Sequence, residues 1–197
     1  MEKRLLCAAC LFIGALLALK HIEGTNDFNK ETNLHRLSVQ SDYTALEVAA
    51  RCASEGSIDA ETTYHATALS LACSRGDLTA VRILVRAGAA INRQASVNKS
   101  TPLIDAAHGG SLETVSFLLD NGASIDTPDI YGRTALAHAA LMGHIRVCAV
   151  LLERKACPDG SGRQDTCPLK EALVRRLDTI ATLLRASGAC EVDESAQ

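Results

Sequence analysis

The stretch Thr101–Asp126, TPLIDAAHGGSLETVSFLLDNGASID, restricts the fold of this chain more than any other. Thr101 suits a helix N-cap, since its hydroxyl can accept a backbone N–H of the first turn, and Pro102 suits the first helical position, where no N–H is needed. Leu103, Ala106 and Ala107 then fall at i, i+3 and i+4, on one face of a short helix. Gly109 and Gly110 end it. A second helix opens near Ser111, with Leu112, Val115, Leu118 and Leu119 in a broader apolar stripe. Gly122 supplies the left-handed residue that closes it. The pattern predicts two antiparallel helices, brought close together by the small alanines of the first.

Neither helix can complete a core alone, so the chain should carry copies. Thr101-Pro-Leu recurs as Thr67-Ala-Leu and Thr134-Ala-Leu, at spacings of 34 and 33. The inter-helix glycine recurs as Gly76, Gly110 and Gly143, and the closing motif Gly88–Asn92 (GAAIN) recurs as Gly122–Asp126 (GASID). A period near 33 with T-P-L-x-x-A-A and L-L-x-x-G-A resembles the ankyrin repeat. The resemblance covers Ser41 to Cys190. It implies an all-α solenoid of stacked helix-turn-helix units with finger loops, about four repeats behind an N-terminal half-repeat cap. It implies no single partner, because this architecture is shared by proteins that bind different things.

Complete repeats are expected over Thr67–Gly88, Thr101–Gly122 and Thr134–Lys155. A fourth is expected to start at Thr166-Cys-Pro-Leu, with one residue inserted before Pro168 and Ser187 extra before Gly188. Lys155 stands where Gly88 and Gly122 stand, so that turn should be distorted or supported from outside. Arg175, Arg176 and Arg185 suit a solvated C-terminal cap. Ser41–Glu55 reads as the second helix of an incomplete first repeat, since a solenoid needs modified ends.

The rest of the chain divides into residues 1–24, a linker over 25–40, the repeat domain over 41–190 and an acidic tail over 191–197. Lys3 and Arg4 precede an uncharged apolar run, Leu5–Leu19, which is short for a membrane span and within the range of a secretory signal. Residues 1–24 are therefore read as a signal peptide, with an uncleaved membrane anchor as the alternative. A periplasmic or secreted location is the expectation, with membrane contact only if the segment is retained. The formal net charge is −3 and the basic residues do not cluster, which gives no case for nucleic acid. Aromatic content of 3% fits thin helices packed through small side chains in a monomer.

Ankyrin proteins commonly grip another protein with their finger loops and the exposed side of each first helix. Carried onto this sequence, that surface comprises Ile104, Asp105 and His108, then His138, Leu141 and Met142 on the next repeat. The loops add Tyr64, His65, Asn98, Lys99, Ile130, Tyr131 and Arg133. Leu141 and Met142 are apolar where solvent is expected, which suggests a contact surface; Leu141 could instead tuck beneath a finger. His144 follows Gly143 as part of the inter-helix turn.

No catalytic constellation emerges: there is no G-x-S-x-G elbow, phosphate-cradling glycine loop or paired acidic motif. His108 and His138 fall on neighbouring first helices, but H-x-x-x-H and H-E-x-x-H are both absent, so no metal or other cofactor is expected. Cys52, Cys73 and Cys148 fall at core-facing repeat positions. Cys157 and Cys167 flank one finger loop, and an oxidising compartment would permit a disulfide between them. Cys157–Cys190 is the competing pair, and free thiols are the third option. The sequence thus reads as a non-enzymatic interaction module bound to an unidentified protein. The alternatives are a secreted effector acting on a host protein and a thiol-dependent redox or metal-binding protein using Cys157, Cys167 and Cys190.

Overall fold

The computed structural model of the protein describes Tyr43 and residues 58–62, 65–161 and 167–190. Four helix pairs follow one another: α1 (Ala68–Arg75) and α2 (Leu78–Arg86), α3 (Pro102–Gly109) and α4 (Leu112–Asp120), α5 (Ala135–Met142) and α6 (Ile145–Glu153), and α7 (Pro168–Val174) and α8 (Asp178–Ala186). No strand occurs among the described residues. The segments read above as signal, linker and acidic tail, and most of the expected N-terminal half-repeat, lie outside them. Tyr43, from that half-repeat, is helical, and its hydroxyl donates to the Asp77 carboxylate at 3.1 and 3.2 Å.

Two first helices, α1 and α3, begin with the threonine cap that the pattern requires, whereas Thr134 makes no such bond at α5. Thr67 accepts the Ser70 N–H at 3.1 Å and Thr101 accepts the Ile104 N–H at 3.3 Å. In the fourth repeat the residue in this slot is Cys167, which directly precedes Pro168 at the start of α7. This corrects the expected register. Counted from Cys167 there is no inserted residue, and Ser187 takes the place of Ala87, Asn121 and Arg154 after the second helix. The cysteine fills the threonine slot without making the threonine's capping bond.

Small residues set how closely the repeats approach. Ala72, Ala106, Ala139 and Ala172 occupy equivalent positions and are fully buried, so the first helices pack chiefly on one another, α1 on α3, α3 on α5 and α5 on α7. Leu84, Leu118, Leu151 and Leu184 form a matching buried column in the second helices. Removing one such leucine to Ala would open a cavity worth about 2–5 kcal/mol. Cys73 and Cys148 are buried core thiols, as their repeat positions require.

A second column holds successive repeats in register through polar contacts. The Asp59 carboxylate accepts the Ala90 N–H at 3.0 Å, Asn92 Oδ1 accepts that of Ser124 at 2.8 Å, Asp126 that of Cys157 at 2.9 Å and Asp159 that of Cys190 at 2.7 Å. Asn92, Asp126 and Asp159 each follow the second helix of one repeat, and each of the four donors lies just past a second helix. Asn92 also donates its amide to the Gly122 carbonyl at 3.0 Å.

The inter-helix turns stack as well. Gly76, Gly110 and Gly143 take left-handed φ values of 70°, 76° and 81°. A Cβ at Gly76 would meet Ser111 Cβ at 2.8 Å, and one at Gly110 would meet the His144 ring at 2.5 Å. His144 Nε2 lies 3.0 Å from the His108 carbonyl, which fixes that ring over the preceding turn. The last repeat departs from this rule. Arg176 adopts φ 58° where the glycines stand, and Leu173 lies half-buried where Cys73, Ala107 and Ala140 are buried.

Lys155 keeps the expected turn intact. Its φ of 71° matches the left-handed Gly88, Gly122 and Gly188. Its N–H reaches the Leu152 carbonyl at 3.0 Å, as that of Gly122 reaches Leu119 at 3.1 Å. The turn is therefore undistorted, and the side chain carries the conformational penalty itself. Lys155→Gly should raise stability by about 0.5–1 kcal/mol, because the left-handed penalty of an L side chain exceeds the entropy that glycine adds to the unfolded chain. Gly122→Ala, with no atom near its Cβ, should lose roughly 1 kcal/mol, and Gly110→Ala more, because His144 blocks it. Urea midpoints of the three variants check this order. An unchanged or lower midpoint for Lys155→Gly would show that the lysine is not strained.

Candidate protein-binding face

The three fingers before α1, α3 and α5 each end in a tight reverse turn with a left-handed residue at an equivalent place: His65 at φ 59°, Lys99 at 57° and Gly132 at 84°. In the third finger, Asp129 holds the turn by accepting the Tyr131 and Arg133 N–H groups at 2.8 and 2.9 Å. Neighbouring fingers are tied together. The Ile130 N–H donates to the Asn98 carbonyl at 2.9 Å, and the Gln94 amide donates to the Pro128 carbonyl at 3.2 Å. The first two are joined through Glu61, which accepts the Ser96 N–H at 3.2 Å and an ion pair from Arg93 at 3.5 Å. The Ser96 hydroxyl, above all, holds the Glu61 carboxyl below its ordinary range.

These ties leave apolar side chains at the fingertips. Val97, Ile130 and Tyr131 are 55%, 54% and 64% exposed. On the first helices, Met142 is 42% and Val174 70% exposed, while Leu141 is half-buried. Val174 went unrecognised in the sequence because the fourth repeat was counted from Thr166. Counted from Cys167, it is the equivalent of Ser74, His108 and Leu141.

The polar residues of the first helices mostly serve the fingers. Asp105 accepts the Ser100 hydroxyl at 2.6 Å, His138 Nε2 lies 2.9 Å from Asp129, and Arg133 pairs with Glu171 at 2.9 Å. Arg133 also lies 5.8 Å from the centre of the Tyr131 ring. Asp105, His138 and Arg133, expected as partner contacts, are thus engaged within the protein. Ile104 requires a plain correction. It is 2% exposed, because it precedes Asp105 on the side of α3 that faces the neighbouring first helices, where Ser70 and Ala137 are also buried. His65, Asn98, Lys99 and His108 are exposed, while Tyr64 lies outside the described residues.

Between the second and third fingers the floor is a cluster of acids and imidazoles. His108 and His138 meet edge to face with ring centres 5.6 Å apart. Burial, reinforced by His138, lowers the His108 pKa. Burial raises that of Asp105, against the pull of the Ser100 and Ser70 hydroxyls and the two imidazoles. His138 Nδ1 is buried with no hydrogen-bond partner among the described residues.

Cys157 and Cys167 carry free thiols, as does Cys190, so the bridge expected between the first two is not formed in this structure. Cys167 lies buried in the N-cap slot of α7, whereas Cys157 lies past the end of α6 with its N–H on Asp126. Burial pushes the Cys148 thiol up to about 12, and the Asp159 carboxylate beside Cys190 raises that thiol too. Protonated thiols are poor nucleophiles and poor metal ligands. Among the described residues no group of three or more His, Cys, Asp or Glu is placed to hold a metal ion, and no helix is long and apolar enough to cross a membrane.

Paired antiparallel helices at a 33-residue period, with tied finger loops and a glycine-closed second helix, define a helical-repeat binding scaffold. The chain belongs to the ankyrin-repeat family. The family described as "Ankyrin repeats (3 copies)" matches residues 46–129 and 69–161, together more than half of the chain. Similar proteins include chicken Arf-GAP with coiled-coil, ANK repeat and PH domain-containing protein 2, 49% identical over 57 residues, or 29% of this chain and 7% of that protein. The human protein of that name is 54% identical over 52 residues, 26% of this chain and 7% of its own. Human Ankyrin repeat and KH domain-containing protein 1 is 36% identical over 108 residues, covering 54% of this chain and 4% of that protein. The chain thus spans a small fraction of the length of these relatives. The likeness carries the repeat architecture, whose general use is protein–protein interaction.

The raised pKa of Asp105 has a measurable consequence. A carboxyl that holds its proton more tightly folded than unfolded weakens the fold at neutral pH, and this loss disappears as pH falls below its folded value. Asp105→Asn, whose amide oxygen can still accept from Ser100, should therefore be at least as stable as the natural protein at pH 7. The gap should close between the raised value and the ordinary carboxylate range, near about pH 4. Urea unfolding of both proteins at pH 4 and 7 tests this. A variant much weaker at pH 7 and no weaker at pH 4 would reverse the sign.

Proposed function

We propose that this chain is a non-enzymatic protein-interaction module that works outside the cytoplasm, in the periplasm or as a secreted protein, and seizes its partner with fingertips and first helices. The observation that carries the binding face is where its exposed apolar side chains lie. Val97, Ile130, Tyr131, Met142 and Val174 all lie on fingers or first helices, leaving only Tyr43 and Ile145 elsewhere among the described residues. Large apolar groups gathered on one face of a scaffold mark a protein contact surface. The fingers that present them are tied to each other and to the helices beneath, so little ordering remains for the moment of binding. Export rests on the Lys3-Arg4 pair before the apolar run Leu5–Leu19.

Two measurements test the two halves of this reading. The triple variant Val97→Ser, Ile130→Ser, Tyr131→Ser removes exposed side chains, so each change should alter stability by no more than about 0.5 kcal/mol. Capture of the partner by cross-linking and affinity purification from the native compartment should fall at least about tenfold. Undiminished capture would place the contact on another surface. N-terminal sequencing of the purified protein should find a start near Thr25, outside the cytoplasm. An unprocessed chain confined to membranes would favour the anchor, and one confined to the cytoplasm would end the export reading.

A further inference from the structure

We infer that the face formed by the fingers and first helices takes a protein segment whose apolar side chains are flanked by carboxylates. The inference rests on the protein-binding reading of this face and names the chemistry of what it binds.

Charge is sorted between the two sides of the solenoid. The chain as a whole is slightly acidic, with a formal net charge of −3. Its exposed carboxylates nevertheless stand almost wholly on the second helices, as Glu113, Asp120, Glu153 and Asp178. The exception among the described residues is Asp126, which follows α4 and holds the Cys157 N–H. The carboxylates of the finger turns and first helices are in internal use. Glu61 pairs with Arg93, Asp129 with His138 and Glu171 with Arg133, and none of these three acidic side chains is more than 14% exposed. Asp105 is half-buried and accepts the Ser100 hydroxyl.

Three cations on the same face are not engaged in this way. Arg75, Lys99 and Arg175 are exposed, and none forms an ion pair among the described residues. Folding does not require them where they are. Arg75, Gly109, Met142 and Arg175 share one repeat position, at or just past the end of the first helices, so those helices can end without a cation. Lys99 holds a left-handed φ of 57° where the third finger has Gly132, so its side chain is kept against a conformational penalty.

These cations border the exposed apolar side chains. Lys99 shares the second fingertip with Val97, Arg175 directly follows Val174, and Met142 stands between Arg75 and Arg175 in the row of helix ends. A partner's apolar side chains would cover the apolar tract, and its carboxylates would meet the cations at the border. A cationic segment would set like charge against them, and a neutral one would forgo them. Three repeat steps part Arg75 from Arg175, roughly 24–30 Å at the usual distance between packed helices, which about eight residues of extended chain would span.

The test uses the full chain, isotopically labelled for NMR, with acetyl-Glu-Glu-Leu-Ala-Leu-Ala-Leu-Glu-Glu-amide and its counterparts carrying Gln or Lys in place of Glu. The glutamate peptide should move the Lys99, Ile130, Tyr131 and Val174 amide signals saturably. It should bind at least about fivefold tighter than the glutamine peptide, with the lysine peptide weakest. Added salt should shrink that preference. The variant Arg75→Gln, Lys99→Gln, Arg175→Gln should abolish it. The variant Arg86→Gln, Arg146→Gln, Arg185→Gln removes the same charge from exposed second-helix positions and should keep it. The fingertip triple variant should weaken all three peptides alike. Equal binding of the glutamate and glutamine peptides overturns the inference, as does a preference lost equally in both arginine-bearing variants. Binding of phosphatidylglycerol vesicles in place of the peptide would give the face to a membrane, and self-association broken by the first variant would give it to a second copy; either overturns the inference. Partner capture lost in the fingertip triple variant yet unchanged by neutralising Arg75, Lys99 and Arg175 would also overturn it, while leaving the interaction reading in place. Capture indifferent to the fingertip variant would instead defeat that reading itself.

Discussion

No helix pair here can bury its own apolar faces, so everything depends on how accurately each pair meets the next. Two kinds of contact set that meeting. The fully buried column Ala72, Ala106, Ala139 and Ala172 sets the distance, because a larger side chain would push the first helices apart. The oxygens of Asp59, Asn92, Asp126 and Asp159 set the height, because each accepts a single backbone N–H of the following repeat. Alanine contacts alone would tolerate sliding. A directional bond to one N–H does not, and it satisfies a backbone donor in the loop just past the second helix.

The same economy shapes the binding face. A finger loop of about ten residues has little core of its own, and three tethers to the first helices substitute for one: Asp105 to Ser100, His138 to Asp129, and Glu171 to Arg133. They differ chemically although they occupy one repeat position. A carboxylate accepting a hydroxyl, an imidazole on a carboxylate and a carboxylate on a guanidinium all do the same mechanical job. Stiffness is thereby built beneath the surface, and the tips above remain free to be apolar.

The architecture was largely legible in the sequence, because it is written in period and in small residues: Thr at the caps, Ala on the inner faces and Gly at the turns. The fourth repeat misled for a physical reason. Thr166 looked like the familiar cap, yet Pro168 must occupy the first helical position, which gives the cap to Cys167. That single step concealed Val174 and made Cys167 seem a loop residue. Ile104 was misjudged because it neighbours Asp105 on a short helix, where adjacent positions point about 100° apart and can differ wholly in burial. The Arg133–Glu171 tether was invisible because its partners, far apart in sequence, meet through the stacked geometry and belong to no local motif.

Leu173 and Arg176 bear on assembly. At the three earlier junctions between the described helix pairs, a small residue and a glycine leave room for the pair that follows. The outer side of the last pair presents a leucine and a left-handed arginine instead. Solenoids with a bare terminal face risk joining head to tail into open filaments, since each added copy would recreate the same sticky end. Here another unit, from any source, could seat in the regular way only after displacing two side chains, one of them charged. That obstacle lies along the stacking axis alone and leaves the lateral, finger-bearing face clear.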